Sequence, residues 1–265
     1  MLEVKNISKT FNAGTVNEKQ ALRGLSLTLN DGDFVTVIGG NGAGKSTLLN
    51  AIAGTWKVDE GQIMIGGVDV TKYPEHKRAA FLGRVFQDPM NGTAATMGIE
   101  ENLALALRRG KKRTLKKGIS GDERRLYRET LAKLGLGLEN RLTSKVGLLS
   151  GGQRQALTLL MATLKKPRLL LLDEHTAALD PKTAAKVLET TENIVNQDHL
   201  TTLMITHNMK DAISIGNRLI MMNNGQIIFD VAGEEKKRLK VEDLLKKFAE
   251  ASGEEFANDR MLLAN

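Results

Sequence analysis

A glycine-rich stretch that ends in a lysine and two hydroxyl residues carries the clearest chemical signal in the sequence. Residues 39–47, GGNGAGKST, fit the phosphate-binding pattern G-x-x-x-x-G-K-[ST]. Glycines in such a loop let backbone N–H groups turn toward phosphate oxygens, and the helix that follows adds the positive end of its dipole. We therefore predict that a nucleoside triphosphate binds to Gly39, Asn41, Gly42, Ala43, Gly44, Lys45, Ser46 and Thr47.

The last residues of this loop have the chemistry to act on phosphates directly. Lys45 would reach the β- and γ-phosphates, and the Ser46 hydroxyl would ligate Mg²⁺. The flanking sequence supports this assignment, because 34–38 is apolar and β-branched like a buried strand, and 48–53 has apolar residues at helical spacing until Gly54. The alternative, a chance match in a glycine-rich chain, gives no reason for a strand and a helix in these positions.

Acidic residues and a histidine follow two predicted strands in the last third of the chain. Four leucines at 169–172 predict a buried strand that ends at Asp173 and Glu174. Ligands of open α/β sheets bind at the carboxyl ends of strands, so Asp173 would hold Mg²⁺, directly or through water, and Glu174 would polarise an attacking water. His207 ends the next predicted strand and should open on the same edge of the sheet. A histidine with satisfied hydrogen bonds at a strand end is the alternative.

A second helix start with small residues occurs at 149–153, LSGGQ. It precedes a helix with an apolar face, so its N-terminus is suited to an anion. A chain with two such sites could clamp one triphosphate between two copies of itself. An ordinary N-cap with glycines is the alternative. The residues concerned are Ser150, Gly151, Gly152 and Gln153.

The remaining pattern begins with strands and ends with alternating helices and strands. Residues 2–7 and 22–29 alternate apolar with polar side chains, as half-buried strands do, and a polar loop is predicted at 11–20 between them. The last third predicts a helix at 181–196, a strand at 200–206 and a hairpin with strands at 219–222 and 226–229.

The middle of the chain, from Gln87 onward, predicts an inserted helical subdomain. Helices are predicted at 100–109 and 122–134, and a basic run occupies 108–117. This run is predicted to be a solvated face, with an acidic partner or membrane headgroups as alternatives. Nucleic acid is less favoured, because no aromatic residues interleave with the charges. The predicted apolar stripe of the second helix consists of Leu126, Thr130 and Leu134.

Composition excludes several classes of protein. The 265 residues contain no cysteine, which excludes disulfides and thiolate metal sites. No apolar run approaches the roughly 18 residues needed to cross a bilayer, and the N-terminus lacks a signal-peptide core. We therefore expect a soluble, cytosolic protein. A net charge of +7 leaves nucleic acid, an anionic membrane surface or simple solubility open.

In their order along the chain, these motifs resemble those of the ABC ATPases, the nucleotide-binding subunits of ATP-binding-cassette transporters. The resemblance covers about residues 2–230 and is specific, because six motifs occur together. They are the Walker A loop at 39–47, Gln87 after a strand, the LSGGQ signature at 149–153, the Walker B strand ending at Asp173 with Glu174 next, the D-loop Ala178-Leu179-Asp180, and the switch histidine His207.

The resemblance implies an α/β fold, a P-loop NTPase (RecA-like) core with an antiparallel β subdomain and an inserted α-helical signature subdomain. We accordingly expect an ABC nucleotide-binding domain at 1–233, with its core at 1–86 and 160–233 and its helical subdomain at 87–159. Residues 234–265 would form a C-terminal helical extension. Its apolar stripe, expected to dock on the chain's own core, consists of Val241, Leu244, Leu245 and Phe248.

The resemblance also implies a head-to-tail homodimer with two ATP molecules, each held between one subunit's Walker A loop and the other subunit's signature. Phe11 would stack on adenine, with a core aromatic as the alternative. Gln87 would couple Mg²⁺ to a partner subunit, and His207 would contact the γ-phosphate. The resemblance thus assigns catalysis to Glu174 and His207, Mg²⁺ binding to Ser46, Gln87 and Asp173, and communication across the dimer to Asp180.

Two local features point to an uptake system. The family usually continues from its catalytic glutamate with proline, whereas here His175 follows Glu174. Together with residues 87–93, QDPMNGT, this is similar to the ATPase subunits of tryptophan/tyrosine-type and related uptake systems. The resemblance then implies an ATP-hydrolysing motor on the cytoplasmic face of the membrane, a polytopic permease partner and an extracellular solute-binding protein. The solute would be an amino acid or another small molecule.

Other classes remain as alternatives. A soluble ABC ATPase acting on nucleic acid, ribosomes or cofactor assembly would suit the positive charge, but the chain has one cassette and no long coiled coil. A P-loop kinase is also an alternative, but the chemistry of a kinase would not require the LSGGQ element. Export is also open, although exporter ATPases are more often fused to their membrane domains.

Overall fold

Ten strands run through residues 1–111 and 118–252, the part of the chain that this computed structural model describes. They are β1 (Leu2–Phe11), β2 (Lys19–Leu29), β3 (Phe34–Ile38), β4 (Glu60–Ile65), β5 (Val68–Asp69), β6 (Leu82–Val85), β7 (Leu169–Asp173), β8 (Thr202–Ile205), β9 (Arg218–Asn223) and β10 (Gln226–Ala232). A six-stranded sheet has the order β10-β9-β3-β8-β7-β6, and a four-stranded antiparallel sheet has the order β2-β1-β4-β5.

Nine helices accompany these sheets in the described residues. They are α1 (Lys45–Ala53), α2 (Glu75–Arg78), α3 (Ile99–Leu107), α4 (Gly121–Ala132), α5 (Gly151–Thr163), α6 (Pro181–Asp198), α7 (Met209–Ser214), α8 (Gly233–Arg238) and α9 (Val241–Ser252). Short 3₁₀ turns occur at Pro89–Gly92, Leu138–Asn140 and Val146–Leu148. Within the described ranges, none of the helices has the length and apolar character needed to cross a membrane.

The larger sheet places three parallel strands side by side. β3 pairs with β8 and β8 pairs with β7, so that Val37 lies opposite Ile205 and Ile205 opposite Asp173. Because parallel strands end at the same edge of a sheet, the segments that follow these three strands meet there. β9 and β6 extend the parallel arrangement, and β10 adds an antiparallel edge strand. The expected α/β core with a separate antiparallel sheet is confirmed.

Helix α1 packs between the two sheets. Its buried Leu48, Leu49 and Ile52 belong to one apolar cluster with Val37 of the larger sheet and Ile7 of the smaller sheet. Burial of each such aliphatic side chain contributes about 1.5–3 kcal/mol. A helix held on both sides in this way fixes the position of the loop that precedes it.

The first hairpin is longer than the sequence pattern indicates. β1 continues to Phe11 and β2 begins at Lys19, with these two residues paired. The connecting loop is therefore 12–18 rather than 11–20. The ends of these two strands carry polar residues, so the apolar pattern does not reveal them. Backbone pairing does not require apolar side chains. As a result, Phe11 and Lys19 lie side by side at one end of the smaller sheet.

The middle section has an apolar cluster of its own, to which α3, α4 and α5 contribute. The predicted stripe on α4 was wrong in part, because Leu126 is 41% exposed while Tyr127, Leu131 and Leu134 are buried. The buried residues have i, i+4, i+7 spacing, which follows the 3.6-residue helical period more closely than the i, i+4, i+8 spacing of the predicted stripe.

Two arginines of the basic run make structural hydrogen bonds. Arg108 Nη2 donates to both carboxylate oxygens of Glu123, at 2.9 and 3.2 Å. Arg109 Nη2 donates to the carbonyl oxygen of Ala162 at 3.0 Å, in the last turn of α5. The expectation of a solvated face is therefore wrong for Arg109, whereas the Arg108 side chain remains 35% exposed. The part of the run at 112–117 lies outside the described residues.

The apolar stripe near the C-terminus docks on the chain's own core, as predicted. Leu244 and Phe248 of α9 are buried in one cluster with Ile38 of β3 and Met209 of α7. The stripe is thus covered within the same chain. Residues 253–265 lie outside the described residues.

A buried arginine caps the end of α1. Arg78 is 1% exposed, and its Nη1 donates to the carbonyl oxygens of Ala51 at 2.7 Å and Ile52 at 2.9 Å. Nη2 donates to the carbonyl oxygen of Thr71 and Nε to that of Tyr73, both at 2.9 Å. The side chain therefore satisfies helix-end carbonyl groups that lack partners within the helix.

We predict that Arg78→Met lowers the free energy of unfolding by about 3 kcal/mol, because it leaves several buried carbonyl groups unpaired. Equilibrium denaturation measures this change. Arg125→Met is the control, since Arg125 is 71% exposed and should change stability by no more than about 0.5 kcal/mol. Equal effects of the two substitutions would contradict the capping role of Arg78.

Candidate nucleotide-binding site

Three neighbouring strands bring the predicted site residues to one edge of the larger sheet. The glycine loop follows β3, His207 lies two residues beyond β8, and Asp173 ends β7 with Glu174 next. The Glu174 backbone N–H donates to the carbonyl oxygen of Ile205 at 3.0 Å, which joins the ends of β7 and β8. Residues that are far apart in the sequence therefore meet at a single edge.

Two glycines of the loop are required by both backbone conformation and space. Gly39 has φ 152° and Gly44 has φ 102°, values that disfavour side-chain-bearing residues. A Cβ atom on Gly39 would lie 2.3 Å from the carbonyl oxygen of Met222, and one on Gly44 would lie 2.6 Å from that of Ala21. Both neighbours are backbone atoms in paired strands, so a substitution would distort the loop.

Lys45 is held inside the loop by the loop's own backbone. It is 6% exposed, and its Nζ donates to the carbonyl oxygens of Gly39 at 2.6 Å and Gly40 at 3.1 Å. A desolvated ammonium group in this position is a strong partner for phosphate oxygens. Of the two hydroxyl residues that follow, Ser46 is exposed and Thr47 is buried.

The loop lines a cavity of about 420 Å³. Its walls are formed by loop residues 41–47, by Phe11 and Lys19 of the smaller sheet, and by Glu174 and His207. The cavity therefore has an aromatic ring, two cationic side chains and an acid–histidine pair. These groups suit a ligand with a flat ring and a chain of negative charges.

The acid and the histidine contact each other within this cavity. His207 Nε2 lies 2.5 Å from Glu174 Oε1, and the side chains are 39% and 10% exposed. Glu174 has φ 46°, a left-handed backbone conformation. Such a conformation costs a non-glycine residue of order 1–3 kcal/mol and persists only where the surrounding structure holds it.

Asp173 does not line the cavity but pairs with an arginine beside it. Arg84 Nη2 lies 3.6 Å from Asp173 Oδ2 and donates to Asn50 Oδ1 at 2.8 Å. The guanidinium also lies over the ring of Phe86, 4.4 Å from its centre. Burial raises the pKa of the Asp173 carboxyl, and the charge of Arg84 opposes this shift.

The predicted Mg²⁺ ligands supply only oxygen atoms, the donor type that this ion prefers. They are the Ser46 hydroxyl, the Asp173 carboxylate and the Gln87 side-chain carbonyl. Ser46 lines the cavity and Asp173 ends the adjacent strand, while Gln87 is exposed two residues beyond β6. The donor chemistry fits Mg²⁺, although only Ser46 of the three lines the cavity.

The signature residues begin α5 outside this cavity. Ser150 Oγ accepts from the Gln153 backbone N–H at 3.3 Å, and Gln153 Oε1 accepts from the Ser150 backbone N–H at 3.2 Å. This capping arrangement accounts for two residues of the motif. Gly151 is exposed, and a Cβ atom on Gly152 would lie 2.2 Å from Thr183 Cγ2. Gly152 is therefore where α5 packs closely against α6.

Asp180 caps α6. Its Oδ1 accepts from the Thr183 backbone N–H at 3.1 Å, and hydrogen bonds from Thr183 lower the pKa of the Asp180 carboxyl. The residue thus has a structural role within one chain, in addition to the communication role that the resemblance implies.

Sequence patterns did not identify two cationic side chains at the site. Lys19 lines the cavity, and its Nζ lies 3.1 Å from the position that a Cβ atom on Gly42 would take. Arg84 pairs with Asp173. Each lies on a strand that is distant in the sequence from the residue it approaches, Gly42 for Lys19 and Asp173 for Arg84. The pairing of Lys19 with Phe11 could have indicated its position, but only once the full length of the hairpin was known.

A parallel sheet with a glycine loop, a carboxylate pair and a histidine at adjacent strand ends defines a P-loop nucleotide-binding protein. Comparison with protein families matches residues 22–177 to the family described as ABC transporter. The chain belongs to that family, which confirms the resemblance seen in the motifs. It is an ATP-binding ATPase with the cassette fold.

Individual relatives agree with this assignment. The tyrosine transport ATP-binding protein of Clostridioides difficile (strain R20291) is 47% identical over 248 residues, which cover 94% of this chain and 98% of that protein. The spermidine/putrescine import ATP-binding protein PotA of Mesoplasma florum is 34% identical over 86% of this chain and 60% of that protein. Among solved structures, the dimeric post-hydrolysis state of the ATP-binding cassette MJ0796 bound to ADP and Pi matches with a TM-score of 0.74, 28% identity and coverage of 88% of this chain and 98% of that chain.

Proposed function

We propose that the chain is the ATP-hydrolysing motor subunit of a membrane importer for an amino acid or another small solute. The observation that carries this proposal is the convergence of Lys45, Glu174 and His207 on one cavity. It is supported by the near full-length match to a tyrosine transport ATP-binding protein.

ATP would lie along the cavity, with its adenine beside Phe11 and its phosphates in the glycine loop. The backbone N–H groups of the loop, the N-terminus of α1 and the Lys45 ammonium group would neutralise the phosphate charge. Phe11 packs edge-to-face against Trp56, with ring centres 4.9 Å apart. This contact would hold the Phe11 ring in place as a stacking surface.

Hydrolysis would depend on the acid–histidine pair. Glu174 would accept a proton from the attacking water. The water oxygen would bond to the γ-phosphorus as the bond from that phosphorus to the bridging oxygen breaks, which yields ADP and phosphate. His207 would hold the γ-phosphate beside the base. Ser46, Gln87 and Asp173 would hold Mg²⁺, which when bound neutralises charge on the phosphate oxygens.

A second copy of the chain would complete each site. Within the described residues, the four signature residues do not line the cavity of their own chain, and the exposed Gly151 marks the start of α5 as a surface that a partner's nucleotide could reach. The N-terminus of α5 would then face the partner's ATP, and Asp180 would communicate across the dimer. The dimeric structure of the MJ0796 cassette supports this arrangement.

The transporter would place this subunit on the cytoplasmic face of the membrane, against a polytopic permease. We further propose the domain boundaries expected above, with a helical subdomain at 87–159. Its part near residues 87–110 would contact a loop of the permease and couple hydrolysis to transport. The separate apolar cluster of α3, α4 and α5 supports treating that section as a unit. A solute-binding protein outside the cell would deliver the solute.

The solute class is tested by uptake in cells that encode this chain. Deletion should abolish uptake of radiolabelled tyrosine if the solute is an aromatic amino acid, and should leave spermidine uptake unchanged. Wild-type chain supplied in trans should restore uptake. Unchanged uptake of all amino acids after deletion would contradict an amino acid as the solute. A defect in efflux alone would contradict the importer assignment.

Lys19 provides a further test of where the phosphates lie. We predict that Lys19→Ala weakens ATP binding about threefold at low salt, and that the difference shrinks as ionic strength rises, because the side chain is exposed and its charge is screened. Fluorescence of Trp56, the single tryptophan of the chain, reports binding through its contact with Phe11.

The matched control is Lys72→Ala, which removes the same charge from an exposed position outside the cavity. Binding of adenosine, which lacks phosphates, should be unaffected by either substitution. Equal losses in ATP affinity for the two variants would show that Lys19 has no specific contact with the nucleotide.

A further inference from the structure

The residue after the proposed catalytic base is a buried histidine to which the mechanism above gives no role. His175 is 1% exposed. The residues on either side of it, Glu174 and Thr176, both line a cavity of about 540 Å³ that also contains His207. His175 is not among the lining residues. The chain therefore turns one side chain inward between two that face open space.

The inward-facing ring makes a specific hydrogen bond to α6. His175 Nε2 lies 3.0 Å from Thr191 Oγ1, and the same hydroxyl donates to the carbonyl oxygen of Val187 at 2.8 Å. Because a hydroxyl group has one hydrogen, Nε2 must be the donor to Thr191. Nδ1 then carries a lone pair, and it is buried without a hydrogen-bond partner among the described residues.

An unpaired buried nitrogen carries a cost that an aliphatic side chain of similar size would avoid. Thr191 is itself 0% exposed, so the bond is shielded from water. If position 175 served only for packing, a leucine in place of the histidine would make the protein more stable. The hydrogen bond is therefore the property that distinguishes histidine from an apolar residue at this position.

Glu174 needs such an anchor. Its left-handed backbone, φ 46°, is held by one strand-end hydrogen bond from its N–H to Ile205 and by one local bond from the Ala177 N–H to its carbonyl oxygen. The segment that follows it borders a cavity rather than a packed core. The Glu174 carboxylate contacts His207, and in the described part of the chain the bond between His175 and Thr191 ties the segment that carries Glu174 to the long helix α6.

We propose that His175 is a positioning residue, which holds the Glu174 carboxylate in its catalytic orientation through the hydrogen bond to Thr191. This inference rests on the proposed role of Glu174 as the base. It does not require any direct contact between His175 and the nucleotide.

His175→Leu tests the proposal, because it keeps the apolar packing and removes the donor. We expect kcat for ATP hydrolysis to fall about 10- to 100-fold, by analogy with the range seen when groups that orient metal ligands are removed. The KM for ATP and the thermal midpoint should stay close to the wild-type values. A parallel fall in thermal midpoint and a rise in KM would indicate a merely structural role and overturn the proposal.

Thr191 supplies the matched pair of variants. Thr191→Val removes the acceptor and should lower kcat as His175→Leu does, whereas Thr191→Ser keeps the hydroxyl and should retain wild-type kcat. The double variant of His175→Leu and Thr191→Val should be no slower than either single variant, since both break one bond. Wild-type kcat in Thr191→Val would overturn the proposal. Failure of the base role itself would appear separately, as rapid hydrolysis by a Glu174→Gln variant.

Discussion

Glu174→Gln is expected to bind ATP with near wild-type affinity and to hydrolyse it at least about 100-fold more slowly. The substitution keeps the size of the side chain and an oxygen that can accept a hydrogen bond from His207, but it removes the carboxylate that would accept the proton of the attacking water. The closed dimer would then persist with ATP trapped in it. Phosphate release measures hydrolysis, and size-exclusion chromatography with light scattering measures the ATP-dependent dimer.

Two controls separate loss of the base from loss of the site. ATP binding, followed by Trp56 fluorescence, should survive in Glu174→Gln, and an exposed acid such as Glu189 should tolerate the same change with full activity. Rapid hydrolysis by Glu174→Gln would remove Glu174 from the role of base. Loss of ATP binding would instead mean that the substitution disturbs the cavity.

Lys45→Ala is expected to lose ATP binding by at least about 30-fold, and hydrolysis with it. Truncating one partner of a desolvated charge pair costs about 2–5 kcal/mol, and Lys45 is a nearly buried cation held at the base of the phosphate loop. Equilibrium binding monitored by Trp56 fluorescence measures the affinity. Lys45→Arg should recover little of it, because a planar, forked guanidinium does not reproduce the compact point charge of an ammonium group.

Folding must be checked in the same experiment, since Lys45 also satisfies the carbonyl oxygens of Gly39 and Gly40. The thermal midpoint of Lys45→Ala in the absence of ATP should remain high enough for the variant to be folded at the assay temperature. A folded Lys45→Ala that binds ATP normally would contradict the assignment of the phosphate site.

Local patterns in the sequence were sufficient to predict where the proposed catalytic groups lie. The geometry of the glycine loop depends on residues that are close together in the sequence, such as Gly44 with its left-handed backbone. The leucine run before Asp173 and the apolar run before His207 each predict a buried strand. The rule that ligands bind at the carboxyl ends of parallel strands then places these residues together. The structure confirms that Glu174 and His207 meet in one cavity.

Features that depend on long-range pairing were not predictable in this way. The partner of Asp173 is Arg84, which lies on a different strand. Lys19 reaches the cavity only because the first hairpin continues through polar residues. His175 is polar and follows the proposed base, so no apolar pattern marks it as buried. Its burial results from a contact with α6, sixteen positions further along the chain.

The central claim is tested most directly by purifying a tagged copy of the chain from detergent-solubilised membranes and identifying the proteins that accompany it. We predict a polytopic membrane protein in stoichiometric amount, and an extracellular solute-binding protein would add support for import. Recovery of only soluble proteins or nucleic acid would contradict the transporter assignment and favour a soluble ABC ATPase.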